Sequence, residues 1–75
     1  MQKPSFGEIP KERRKRKGWT QEQLAMYADL SARYVQSLEA ADKLPSLETV
    51  FKISKAFSTS PGLLLDPLWQ DWKKT

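Results

Sequence analysis

The sequence predicts an all-α fold of five short helices with a short C-terminal tail. Three observations carry this. Four hydroxyl residues, Thr20, Ser31, Ser46 and Ser60, each stand immediately before a run whose apolar residues recur at three- and four-residue intervals, the pattern of a capped amphipathic helix. No segment alternates apolar and polar residues as a half-buried strand does, and the runs are separated by compact turn signals rather than by linkers or repeats. Finally, 75 residues with 39% hydrophobic content suit one domain, spanning 1–75. A chain of this size buries only about 60% of its unfolded surface, which leaves little room for a catalytic pocket.

Each element has its own justification. Ser5 followed by Glu8 has the spacing of a capping box, but that start would leave Pro10 inside the helix. Placing Pro10 near the first helical position gives a first helix over about 10–17, ended by Gly18, with an irregular turn over 6–9 and a thin apolar face. Thr20 caps a second helix over 21–28, with Gln23 at the capping-box position and Leu24, Ala25 and Ala28 on one side. After Asp29-Leu30, Ser31 caps a third helix over about 32–40 that turns Val35 and Leu38 inward. Ser46 caps a fourth, with Glu48 in its first turn and Val50, Phe51, Ile53 and Phe57 read as core. Ser60-Pro61 starts a short fifth helix carrying Leu63, Leu64 and Leu65. Asp66-Pro67 then restarts a last turn, in a tail over 66–75, bearing Leu68, Trp69 and Trp72.

Composition excludes whole classes of function. With no cysteine and no histidine there is no disulfide, thiol nucleophile, imidazole acid/base or usual zinc ligand set, so neither a metal nor a cofactor is expected. The carboxylates Glu22, Glu39, Asp42 and Glu48 are scattered over different segments and pair nowhere for acid/base work, so the chain does not read as an enzyme. Nothing approaches the ~20 apolar residues of a bilayer span, and no apolar signal core opens the chain, so a cytoplasmic protein without membrane contact is expected.

Charge is more telling. Residues 1–18 hold seven Lys/Arg against two Asp/Glu, giving +5, while the remaining 57 sum to −1. The basicity is concentrated in Lys11-Glu12-Arg13-Arg14-Lys15-Arg16-Lys17, a block that suits a polyanion such as nucleic acid or an acidic membrane surface and equally suits a solvated helix face.

Helices two and three, with their short connection, fit a helix-turn-helix over about 20–40, one candidate arrangement among several on the pattern alone. On the third, Arg33, Gln36, Ser37 and Ala40 gather on the outward face, with Ala32 and Tyr34 on its flanks. Such a helix fits the DNA major groove. Taken alone, these residues would also suit the solvated surface of an unrelated bundle.

A spaced set of residues narrows the choice. Trp19-Thr20-Gln21-Glu22-Gln23-Leu24-Ala25, Leu30-Ser31, Tyr34-Val35, Leu38-Glu39 and Pro45-Ser46-Leu47-Glu48-Thr49 resemble the lambda-repressor/Cro-like (XRE-type) helix-turn-helix regulators over about 10–65. The resemblance implies a compact five-helix domain that binds double-stranded DNA sequence-specifically, usually as a homodimer on a two-fold operator. It implies base contacts from Ala32, Arg33, Gln36 and Ser37. Phosphate contacts would come from Thr20, Gln21, Lys43 and the amides around Ser46 and Leu47. Tyr34 itself reads first as a flank-packing aromatic, with its hydroxyl in reach of a phosphate. It also implies a structural ion pair between Arg14 and Glu39. Asp29 and Ala41 stand where the family usually has glycine.

Leu68, Trp69 and Trp72 read as a lid that closes the chain's own core, as a dimer or partner contact, or as a mixture of both. The expected function is a transcriptional regulator acting as a repressor, with a regulatory protein partner conceivable and no small-molecule effector evident. The alternative is an interaction module such as an antitoxin or adaptor, with weak DNA binding.

Overall fold

Hydroxyl caps and left-handed turns partition the chain. The computed structural model describes residues 5–75 and contains α1 (Glu8–Lys17), α2 (Gln21–Ala28), α3 (Ala32–Glu39), α4 (Leu47–Ala56) and α5 (Pro61–Trp72), with no strand among the described residues. The hydroxyls of Thr20, Ser31, Ser46 and Ser60 accept from the backbone N–H groups of Gln23, Tyr34, Thr49 and Leu63, each at 3.1 Å. These bonds satisfy donors that have no acceptor inside their own helix. At Thr20 the box is reciprocal, since Gln23 Oε1 accepts from the Thr20 N–H at 2.8 Å.

The C-termini share a second device. Gly18, Asp29, Ala41 and Ser58 adopt left-handed backbone, with φ of 71°, 54°, 63° and 52°. The residue after each, Trp19, Leu30, Asp42 or Thr59, donates its N–H to the carbonyl five residues back, at 2.9–3.0 Å. This is the Schellman closure. Three of the four positions lack the glycine that the conformation favours, and Ala41, which has no polar side chain to hydrogen-bond locally, bears the largest strain. Ala41→Gly is therefore expected to stabilise the protein by about 0.5–1 kcal/mol net of glycine's unfolded-state entropy, with Asp29→Gly gaining less. A thermal melt followed by circular dichroism checks this, and a lowered Tm for Ala41→Gly contradicts it.

Helix α1 departs from the sequence expectation. It begins at Glu8 rather than near residue 10, and Gly7 is its N-cap without a side-chain bond. The Ser5–Glu8 capping box does not form, because Ser5 Oγ accepts from the Gly7 N–H at 3.2 Å instead. Pro10 is the third helical residue, where a backbone N–H would have no helical acceptor, so it fits inside the first turn. Phe6, Ile9 and Pro10 are all buried, so the core extends before residue 10 and this segment is not thinly packed.

The core gathers Leu24, Ala25 and Ala28 from α2, Val35 and Leu38 from α3, Val50 and Ile53 from α4, Leu64 from α5, and Phe57. Helix α2 packs on α3 and α4, α1 on α3 and α5, and α4 on α5. Trp19 seals one edge, stacked on Phe57 with ring centroids 5.3 Å apart and tilted against Tyr27 at 4.6 Å.

Three further expectations need correction. Phe51, read as core, is 52% exposed, because it lies one turn beyond the similarly exposed Leu47 at the solvent edge of the apolar stripe. Helix α3 ends at Glu39 rather than Ala40. Residues 66–75 are not a separate tail with a restarted turn, since α5 runs unbroken through Pro67 to Trp72. Proline removes the bond to the carbonyl four residues earlier, and that residue, Leu63, is on the exposed side where water reaches it.

Candidate nucleic-acid interface

The outward face of α3 is held in place from both ends. At its C-terminus the Glu39 carboxylate, buried beneath α1, accepts from Arg14 Nε and Nη2 at 2.9 Å each and from Gln21 Nε2 at 3.1 Å. A third guanidinium donor, Arg14 Nη1, reaches the Trp19 carbonyl at 2.9 Å. One carboxylate thereby ties α1, the start of α2 and the end of α3 together. The hydrogen bonds to Glu39 hold the Arg14 guanidinium above its ordinary pKa, outweighing the desolvation that lowers it, so the guanidinium is charged throughout the physiological range.

Near the start of α3 a second link runs to α4. The Tyr34 hydroxyl and Thr49 Oγ1 lie 3.1 Å apart, and Ser46 Oγ donates to Thr49 Oγ1 at 3.1 Å. Thr49 is buried and Tyr34 packs partly against the core. The Tyr34 side chain is thus a packing and bridging element between the two helices.

Beside these anchors α3 exposes Arg33, just before Tyr34, and Gln36, one turn further along the same face. Ser37 is half-buried beside them, and Ala32 is half-buried with part of its surface against the core. The exposed Thr20 caps α2. The leading N–H groups of α2, at Gln21 and Glu22, have no helical acceptor and can receive an anion. Gln21 spends one amide hydrogen on Glu39 and keeps the other. The connection to α4 exposes Lys43, and the N–H groups of Leu47 and Glu48 open that helix in the same way.

Some sites lie elsewhere. Leu68 is half-buried against the core, while Trp69 and Trp72 are 59% and 40% exposed on α5. Leu68 and Trp72 line an apolar groove that also takes in Phe6, Leu44, Pro45 and Leu65, with Leu44 89% exposed. The residues that a reading of the charge block does not single out are Lys11 and Lys15. Together with Arg14, Gln21, Gln36 and Ala40 they line a hollow between α1 and α3, and their four-residue spacing puts both on one side of α1. No helix among the described residues is long and apolar enough to cross a membrane.

A protein-family model described as helix-turn-helix matches residues 11–64, from the basic helix to the buried leucine of α5. The chain belongs to the helix-turn-helix family. Solved structures agree. The chain is similar to the restriction-modification controller protein C.AhdI from Aeromonas hydrophila, at 34% identity over 79% of this chain and 89% of that one, with a TM-score of 0.74. It is similar to the DNA-binding domain of the P22 C2 repressor, at 29% identity over 87% and 86% of the two chains and a TM-score of 0.77. Wild-type controller protein C.Esp1396I matches at 25% identity over 91% and 88%, with a TM-score of 0.78. No curated protein sequence matches the chain. This helix-turn-helix protein is a DNA-binding regulator of the lambda-repressor-like kind, related to restriction-modification controllers and phage repressors, and its family and fold are not those of an enzyme.

Proposed function

We propose that the protein reads a specific double-stranded DNA sequence with α3 in the major groove, as a homodimer on a two-fold site, and represses by covering a promoter. The observation that carries this is the pair Arg33 and Gln36, exposed on a helix whose two ends are fixed by the Glu39 and Thr49 links. A rigidly held helix is what base-edge recognition requires. Arg33 has the chemistry for a bidentate contact to guanine, with Gln36, Ser37 and Ala32 completing the reading face. Thr20, Gln21, Lys43 and the amides of Ser46 and Leu47 hold the sugar-phosphate chain, which positions without specifying. The dimer reading rests on the apolar groove lined by Leu68 and Trp72, with Leu44 exposed at its edge and Trp69 exposed on the same helix.

Two substitutions separate specificity from grip. Arg33→Ala is expected to relax preference at one or two base pairs at a cost of about 1–3 kcal/mol on the preferred site, while Lys43→Ala weakens every duplex alike. Fluorescence anisotropy on preferred and scrambled duplexes checks this. Equal losses on both duplexes for Arg33→Ala would remove that residue from base recognition.

A further inference from the structure

The basic block of α1 is contiguous in sequence but divided in space. Lys11 and Lys15 line the hollow beside Gln21 and Gln36, and the one acid that shares it, Glu39, is matched by Arg14. Arg16 faces another way, 3.9 Å from Glu12, and borders a small recess with Leu64 and Pro67. Lys17 sits over the Trp19 ring, 5.5 Å from its centroid. A further recess beside α1 collects acids, Glu8, Glu12 and Asp71. Helix α1 therefore presents two cations toward the exposed face of α3 and a cluster of acids toward α5. A polyanion approaching α3 meets the first side.

We propose that Lys11 and Lys15 grip a DNA phosphate at the α1 edge of the reading face, whereas Arg16 and Lys17 take no part. The assignment deepens, and rests on, the reading of α3 as the groove-bound helix. A phosphate between the two ammonium groups lies next to Gln36 and the spare amide hydrogen of Gln21, so it sets how α3 is seated without reading a base. Arg14 is withdrawn from this work by Glu39. Charge alone would make all four of these cations equivalent, and their placement sets two of them apart.

The test compares two variants of equal net charge, Lys11→Gln/Lys15→Gln and Arg16→Gln/Lys17→Gln, on a labelled mixed-sequence duplex at several salt concentrations. Lys15, Arg16 and Lys17 are exposed and Lys11 is half-buried, and a thermal melt of each variant verifies folding. The first variant is expected to lower affinity equally on all sequences and to flatten the slope of log K against log salt by about 0.9 for each phosphate that is no longer neutralised, or about 1.8 if each lysine holds its own. The second is expected to keep the wild-type slope. Equal flattening in both variants, or none in the first, overturns the assignment while wild-type binding leaves the α3 reading standing. Absence of salt-dependent duplex binding by the wild type overturns both.

Discussion

Arg14→Ala is expected to lower stability by about 3–5 kcal/mol, most of the stability of a domain this small. The cost is not the loss of one attraction. Glu39, its side chain 3% exposed, would be left as a buried carboxylate with one remaining donor, Gln21 Nε2, and no compensating charge. Glu39→Ala is expected to cost less, because the Arg14 side chain is 13% exposed and its guanidinium regains water more easily. The double replacement Arg14→Met/Glu39→Leu should recover most of the stability, since apolar residues of similar volume need no partner. It should not recover full DNA affinity, because Gln21 loses the acceptor that aims it. Denaturant unfolding of the four proteins measures the first claim. An Arg14→Ala loss below about 1 kcal/mol would mean that the pair behaves as a surface salt bridge.

Gly7→Ala is expected to destabilise by about 3 kcal/mol, at the upper end for overpacking. A Cβ at Gly7 runs into the Leu38 carbonyl oxygen and lies 3.2 Å from Glu39 Cα, and backbone atoms cannot rotate away as a side chain would. The reason is close approach and not backbone conformation, since φ at Gly7 is −56°. The start of α1 would have to move off the end of α3, pulling on the Arg14–Glu39 link. Gly62 provides the contrast. It is in the first turn of α5 with its nearest neighbour, Ser60 Oγ, at 4.0 Å, so Gly62→Ala should stabilise by up to about 1 kcal/mol. Opposite shifts in Tm are the expected result, and a neutral Gly7→Ala would contradict the tight α1–α3 contact.

How legible all this was in the sequence depended on how local its cause was. The hydroxyl caps, the left-handed position at Gly18 and the limits of α2 are decided within a few residues, and the sequence patterns locate them. Pro10 and Pro67 misled for one reason, because a proline's cost depends on whether its missing bond was available. At Pro10 no partner existed, and at Pro67 the freed carbonyl belongs to an exposed residue. Phe51 follows the same three- and four-residue spacing as Val50 and Ile53, but the buried stripe is narrower than the apolar one, and only packing against α2 and α5 sets its edge. The division of the basic block was illegible for a related reason. Helical spacing groups Lys11 with Lys15, yet which side of α1 faces α3 is fixed by tertiary contacts, Gly7 against Leu38 and Arg14 on Glu39.

That α3 reads a specific duplex is tested most directly by selection from a randomised duplex pool, followed by anisotropy titration of enriched and random sequences at several salt concentrations. The expected result is a two-fold-symmetric enriched site with half-sites about one helical turn apart, bound at least ~10³-fold more tightly than random DNA. Failure of any sequence to enrich, with both duplexes losing affinity equally as salt rises, would contradict specific reading and leave the basic helix as a non-specific polyanion binder.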